Sequence, residues 1–404
     1  MKSSQIRVGI AGLGIAGTEF IANVEKHSNM TVSAAATRDP KRREQFEKDF
    51  NANAYETIEA MCASDSIDLI YIATPTELHK EHVFIAAENK KHIIVEKPIA
   101  TSIEEASSMI EICQKNNVHM LVGHSHSFEL PIIEMKKIID SGQIGDVRMI
   151  NNLYYNDWIY RPRTPEELDT SLGGGVTFRQ GSHQFDIIRF LGGGNVRSVR
   201  ASTGRWDLKR NTEGGHSVWL EFENGVTATA IYNGYDHFHT TELTFGLGEG
   251  GPVKSNQPYG NSRKQIENTL SPEDEIKQKN SRGYQSVSSK RDNPTNHPFF
   301  GLTLVSCEKG DIRQSPNGIF VYGENDIEEL IIPTTTNGRD VVLDEMYEAI
   351  VYGTPLIHDG MWARANLEVC VAALKSAELR EEILLEYQVS VPLGVKKSNL
   401  TSKR

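Results

Sequence analysis

Several places along the chain carry residue types suited to chemistry. Gly12-Leu13-Gly14-Ile15-Ala16-Gly17 follows an apolar run and opens an amphipathic one. Glycines at that spacing allow a tight turn, a close backbone approach to a pyrophosphate and close helix–sheet packing. The free N–H groups and partial positive charge of the helix start then face the anion. A merely flexible strand–helix turn would not need that context. At the next strand tip, where a carboxylate would hold the ribose 2′-OH of NAD, the chain offers Thr37 and Arg38 before Asp39. A hydroxyl beside an arginine suits a 2′-phosphate, with Arg42 or Arg43 close by, and tips the expectation from NAD toward NADP. Arg38 could equally be solvated or stacked on an adenine. Further on, the run HIIVEKPIA (residues 92–100) ends in Glu96 and Lys97. An ammonium at the mouth of an apolar strand can polarise a bound oxygen, although charged residues also close strands without any such role.

The elements that must position these groups are legible from periodicity. In the first third, short apolar runs such as residues 6–12, 30–37, 67–74, 91–98 and 118–124 alternate with amphipathic stretches at 14–27, 39–50, 77–90 and 102–117. Such alternation implies right-handed βαβ units and a parallel sheet covered on both faces. Beyond His124 the pattern changes to runs of β character at 147–155, 196–206, 216–235 and 241–248, with Asn224-Gly225 as a hairpin signal. A domain boundary therefore falls at residues 123–126. Residues 250–298 are polar and too poor in apolar side chains for a core, and read as a long surface excursion. Strand character returns at 302–312 and 318–333, and amphipathic helices at 339–353 and 363–385 close the chain.

The 404 residues suffice for two ordinary domains, and a net charge of -11 argues against nucleic acid or an anionic membrane as the main partner. The first residues lack the apolar region of a signal peptide, and no run approaches a membrane span. The four cysteines are scattered without metal-ligand spacing, so they read as reduced side chains of a cytoplasmic protein.

Taken together, VGIAGLGIAG, YIATPTELHKEH, KHIIVEKPIA and GGGVTFRQGSHQFDIIRFLGG resemble the Gfo/Idh/MocA oxidoreductases over nearly the whole chain. More narrowly, VGHSHSF, YRPRTPEELDT and HDGMWARANLEVC resemble its phthalate 4,5-cis-dihydrodiol dehydrogenase-like branch. The resemblance implies an α/β plus α+β protein: a Rossmann dinucleotide-binding domain at 1–123, then a substrate-binding and oligomerisation domain at 124–395. That second domain would hold a large, mainly antiparallel open sheet and the insertion at 250–298, with a tail at 396–404. It also implies that Lys97 touches cofactor and substrate hydroxyl, that its bond to Pro98 is often cis, and that Thr74, Pro75 and His79 lie at the cofactor. Glu96 would orient the lysine. His183 matches the family's histidine and becomes the base for the hydroxyl proton, although a lone histidine among Phe185, Ile188 and Phe190 is otherwise a core residue.

One position departs from the pattern. The family has Asp four residues before this histidine, and here stands Arg179, which at i, i+4 on a helix would lie beside His183. It cannot orient an imidazole as a carboxylate does. It could bind an anionic substrate group with Arg161 and Arg163, unless these arginines pair with Glu166, Glu167 or Asp169. His124 and His126 could face one side together; without further ligands they line the domain junction, and no metal is expected. Tyr154 and Asp157 offer contacts to a ring substrate, or pack the sheet.

The expected activity is NAD(P)-dependent hydride transfer from a secondary ring hydroxyl of a cyclic polyol, a cis-dihydrodiol or a sugar. The alternatives are a glycoside ring-hydroxyl (for example C3) dehydrogenase with tightly bound NAD, a hydrolase using retained NAD, and a non-catalytic dinucleotide sensor. The resemblance also implies an open sheet buried against another copy, and so a homodimer or homotetramer.

Overall fold

The computed structural model describes residues 5–252, 258–268, 271–285 and 295–391, so the tail expected at 396–404 lies outside the described residues. The first sheet comprises β1 (Ile6–Ala11), β2 (Met30–Ala36), β3 (Asn53–Tyr55), β4 (Leu69–Ile72), β5 (His92–Val95) and β6 (Met120–Val122). Their order is β3-β2-β1-β4-β5-β6 and every pairing is parallel. The central strands are apolar almost throughout because helices cover both faces. These helices are α1 (Ile15–Val24), α2 (Pro40–Phe50), α3 (Ile58–Ala63), α4 (His79–Glu88) and α5 (Ile103–Asn116). Strand order reverses between β1 and β4, where an open α/β sheet binds its ligand.

After α6 (Leu130–Ser141), the second sheet is built from β7 (Val147–Tyr155), β8 (Val196–Gly204), β9 (Gly215–Phe222) and β10 (Thr227–Asn233). Between β7 and β8 lies α7 (Ser182–Gly192). The expected strand at 241–248 is instead a 3₁₀ turn followed by a small hairpin, β11 (Leu247–Gly248) and β12 (Gly251–Pro252). Then come α8 (Asn261–Glu267), α9 (Pro272–Asn280), β13 (Leu302–Cys307), β14 (Gly310–Ser315), β15 (Gly318–Tyr322) and β16 (Ile327–Ile331). The chain closes with α10 (Gly338–Tyr352), α11 (Gly360–Leu379) and β17 (Ile383–Leu384). The sheet runs β16-β15-β14-β13-β7-β10-β9-β8-β17, antiparallel except for the β7–β10 pair. The last expected helix stops at Leu379, and Ile383 and Leu384 pair with β8 as an edge strand.

Alternation places Ile150, Asn152 and Tyr154 on the covered face of β7, while Met149 and Leu153 point to the open face. Ile231 and Trp219 follow onto that open face through the β7–β10–β9 register.

Two segments cross the expected boundary. Helix α10 packs on the domain of the parallel sheet, with Val341, Val342, Leu343, Met346 and Tyr347 in one apolar cluster with β1, α1 and β2. Asn23 donates to Asp340 at 2.7 Å, and His27 lies 3.2 Å from Asp344. The insertion, expected as a surface excursion, returns to the glycine turn. Helix α9 is capped by Ser271, starts at Pro272 and carries Glu273, Asp274 and Glu275 in its first turn, in keeping with the helix dipole. Glu275 takes a forked pair from Arg210 (2.9 Å), and Lys279 pairs with Glu167. Beyond it the buried ring of Tyr284 packs near Phe46 and Phe50, its N–H donates to the carbonyl of Leu13 (3.1 Å), and its hydroxyl bonds Asp49. One aromatic anchor thus docks an otherwise polar strap, which average composition does not reveal.

Truncating that anchor tests the docking. Tyr284→Ala is expected to lower unfolding free energy by about 3 kcal/mol in urea titrations. Tyr284→Phe, losing only the bond to Asp49, should lower it by about 1 kcal/mol. Equal effects of the two substitutions would mean that the ring is not docked.

Candidate active site

The carboxyl ends of β1, β4 and β5 meet at one edge of the parallel sheet, and each supplies a loop. In the first, Gly12 has φ +96°, and a Cβ there would come within 2.8 Å of the Ala73 carbonyl oxygen. A Cβ at Gly17 would sit 2.0 Å from the carbonyl oxygen of Gly12. Gly14 caps α1 with open space before it, no capping side chain and no acid in the first turn, and Ile15 and Ala16 begin the helix. Its N-terminal N–H groups are therefore free for an anion, and the residues present fit a dinucleotide pyrophosphate.

At the tip of β2, Arg38 is exposed while Thr37 donates its N–H to the carbonyl of Tyr55. Arg42 and Arg43, expected near a 2′-phosphate, are committed elsewhere. Arg42 donates to the carbonyls of Leu13 (3.0 Å) and Asn280 (2.9 Å), and Arg43 to that of Thr37 (2.7 Å). Only tertiary contacts with the strap and the turn decide this.

The second loop carries Thr74, whose hydroxyl meets His82 Nδ1 at 2.8 Å, and Pro75, which leads into a 3₁₀ turn. His79, expected at the cofactor, lies buried behind the loop. Its Nε2 is 3.0 Å from the carbonyl of Thr74, and its Nδ1 is 3.1 and 3.2 Å from those of Pro98 and Ile99. Burial pushes its pKa down to about 4, so the ring is neutral and only one nitrogen donates at a time. His79 spaces the loops after β4 and β5.

In the third loop, Glu96 accepts the hydroxyl of Tyr71 and, at 3.3 Å, the N–H of Lys97. The Lys97–Pro98 bond is cis. Nζ of Lys97 donates to the main-chain carbonyl of Arg179 at 2.8 Å. Burial lowers the Lys97 pKa from 10.5 to about 8, opposed by Glu96 and Glu249 and assisted by Arg179 and Arg163.

Facing this loop, His183 stands in the first turn of α7, its ring centroid 4.6 Å from His126, 6.5 Å from His124 and 4.9 Å from Phe300. Burial first, then Lys97, His126 and His124, hold its pKa well below 6.5. Burial also holds His124 near 4 and lowers His126. All three rings are neutral near pH 7. Nδ1 of His183, both nitrogens of His124, Nδ1 of His126 and Nε of Arg179 are buried without a protein partner among the described residues. No group of three His, Cys, Asp or Glu among the described residues is placed to hold a metal ion.

A dinucleotide turn and a polar pocket meeting at one sheet edge accord with comparisons to known proteins. Residues 6–124 match the model of the oxidoreductase family with an NAD-binding Rossmann fold, and residues 132–249 that of the GFO/IDH/MocA C-terminal domain. A 1-carboxy-3-chloro-3,4-dihydroxycyclohexa-1,5-diene dehydrogenase of Comamonas testosteroni is 37% identical over 92% of this chain and 95% of its own. The chain belongs to the Gfo/Idh/MocA oxidoreductase family. A crystal structure of a dehydrogenase from Bordetella bronchiseptica RB50 superposes with a TM-score of 0.89 at 38% identity, covering 94% of this chain and 100% of that one. An inositol 2-dehydrogenase of Corynebacterium glutamicum is 28% identical over 65% of this chain and 77% of its own. This member is accordingly an NAD(P)-dependent dehydrogenase. None of its helices, among the described residues, is long and apolar enough to cross a membrane.

Within this family member the arginines part company. Residues 177–181 form a π-helical turn rather than α-helix, so Arg179 meets Lys97 through its carbonyl. The charge acting most on His183 is Lys97 rather than Arg179, contrary to the i, i+4 expectation. Arg161 pairs with Asp157 at 2.7 Å and with Glu249 at 3.5 Å. Arg163 lies 3.4 Å from Glu167, and its guanidinium stacks 4.0 Å over Trp158. Only Arg179 of the three has no ion-pair partner among the described residues. Tyr154 is buried against Phe300 and Tyr232. Sequence reasoning missed Glu249, Phe300 and Tyr71. The apolar character of β4 marks Tyr71 as core, whereas nothing local marks Glu249 or Phe300.

Proposed function

We propose that the protein oxidises a secondary hydroxyl of a carboxylated cyclic vicinal diol, with His183 as base and Lys97 polarising the hydroxyl. One observation carries the substrate class: the guanidinium of Arg179, whose main-chain carbonyl holds the Lys97 ammonium, has no ion-pair partner among the described residues, whereas Arg161 and Arg163 have theirs. An unpaired cation in a partly buried cleft favours an anionic ligand group, for which arginine offers a planar fork. The Comamonas relative, named for a carboxylated dihydroxycyclohexadiene, supports the same class. A neutral cyclitol or sugar is the second reading, favoured by the inositol 2-dehydrogenase relative and opposed by Arg179.

Bound nicotinamide supplies the hydride acceptor. Gly12, Gly14, Gly17 and the start of α1 would hold its pyrophosphate, with the Thr74–Pro75 and Glu96–Lys97 loops beside it. The Lys97 ammonium donates to the substrate oxygen as negative charge develops there. His183, neutral and with a buried free nitrogen, takes the hydroxyl proton. The aromatic faces of Phe300 and Tyr154 bound the ring and exclude water.

The expected outcomes are concrete. Reduced cofactor should form on a carboxylated dihydrodiol and not on inositols or glycosides, with product mass spectrometry run in parallel for turnover on retained cofactor. Lys97→Ala and His183→Ala should each lower kcat about a hundredfold or more. Arg179→Gln should raise KM about tenfold for the carboxylated diol alone. Since Lys97 is protonated below its pKa of about 8, kcat/KM for oxidation should hold at neutral pH and fall above about 8. A rate rising through that pH would make Lys97 the base and overturn the assignment of roles.

For the cofactor, we propose that NAD is bound and that Arg38 alone at the β2 tip offers a contact to a 2′-phosphate. Arg38→Ala should then weaken NADPH binding several-fold in fluorescence titrations and leave NADH unchanged. Equal weakening of both would refute a phosphate contact.

We further propose a homodimer or homotetramer assembled through the open sheet face, where Met149 and Trp219 stand 42% and 45% exposed. Light scattering should show the assembly and its dissociation in Trp219→Arg. A monomeric parent protein at micromolar concentration would exclude it.

A further inference from the structure

We infer that Glu249 is the positioning carboxylate of this site, acting on His183 through His126, a part that Arg179 cannot take. The inference rests on the roles proposed above for Lys97 and His183.

Glu249 reaches the cleft because the chain around it is pinned. It opens the two-residue turn between β11 and β12, and Gly251 follows with φ +88°, which suits glycine. Leu247 is buried, its N–H donating to the Thr244 carbonyl at 2.8 Å. The Gly248 carbonyl accepts the N–H of Phe299 at 3.0 Å, and the next residue, Phe300, packs on both His126 and His183. The hairpin tip and the histidine cluster are thus held by one short segment.

There, Oε1 of Glu249 lies 3.9 Å from Nε2 of His126, and Oε2 lies 3.5 Å from Nη1 of Arg161. The first distance is long for a hydrogen bond and within reach of a small side-chain rotation. The neighbouring carboxylates are engaged elsewhere. Glu96 serves Tyr71 and the Lys97 N–H, Asp157 serves Arg161 and Ser262, and Glu167 serves Arg163 and Lys279. Asp186 accepts the indole N–H of Trp362 at 2.7 Å through Oδ1, and its charge acts on His124 rather than being among those on His183.

A carboxylate at Nε2 selects the His126 tautomer protonated there and fixes that ring, which meets His183 edge-on at 4.6 Å. When the substrate hydroxyl proton passes to His183, and hydride leaves carbon for the nicotinamide, positive charge appears beside Lys97. A carboxylate one ring away offsets it. Lys97 is faced by Glu96, Arg163, Arg179 and Glu249, and the three histidines adjoin it. Removing the charge of Glu249 therefore lowers the pH at which Lys97 loses its proton.

The test is the pH profile of oxidation by the full-length enzyme carrying Glu249→Gln, with Glu249→Asp and His126→Asn beside it. Glu249→Gln should lower kcat roughly tenfold or more with little change in KM. The alkaline limb should move down by about one pH unit, and Glu249→Asp should recover part of both. His126→Asn should reproduce the kcat loss. A purely structural carboxylate would leave the limb in place. An unshifted limb, or a change confined to KM, overturns the inference and leaves the dehydrogenase reading intact. Should Glu249→Gln fail to fold, the limb of Glu249→Asp decides by the same criterion. Full activity of Lys97→Ala would instead overturn the underlying reading, and Glu249 with it.

Discussion

The ammonium of Lys97, delivered by a strand of one domain, donates to a main-chain carbonyl on the π-helical turn of the other. That contact ties the loop after β5 to the turn that leads into α7, and so Lys97 to His183. Because position 179 serves it through backbone, its side chain is free to vary without breaking the junction. This accounts physically for an arginine where the family pattern has an aspartate. The loss is a carboxylate beside the histidine, and the gain is a cation with no ion-pair partner among the described residues.

Electrostatics follow from that exchange. The chain as a whole carries a net charge of -11, yet the cleft gathers Lys97, Arg161, Arg163 and Arg179 around three neutral histidines. Burial disfavours every charged form here, which lowers the lysine and histidine pKa values together. Lys97 ends near neutrality, where a proton donor or acceptor is most effective, while His183 stays deprotonated. Whole-chain charge thus argues against polyanionic partners without describing the pocket.

The two sheets are not held by their junction alone. Helix α10 returns late in the chain to cover α1 and β1, and the strap places Tyr284 against α2 and the glycine turn. Both moves bury apolar surface that the first domain would otherwise expose, so its packing draws on segments remote in sequence. The strap also occupies Arg42, linking the glycine turn to helix α9.

Sequence by itself determined the parallel sheet and its helices, the glycine turn, and Lys97 at the end of a strand, because each depends on local periodicity or steric need. The hairpin at Asn224-Gly225 and most strands of the second sheet were legible for the same reason, and the family resemblance added His183. Tertiary structure decided the rest. Glu249 sits 66 residues beyond His183 on a glycine-rich turn with no motif, and the partners of Arg42, Arg161 and Arg163 come from remote segments. His79 shows the same limit: its motif was visible, but only the meeting of two loops put carbonyls on both its nitrogens. Ion pairs and docked aromatics depend on where the chain returns, and periodicity carries no record of return.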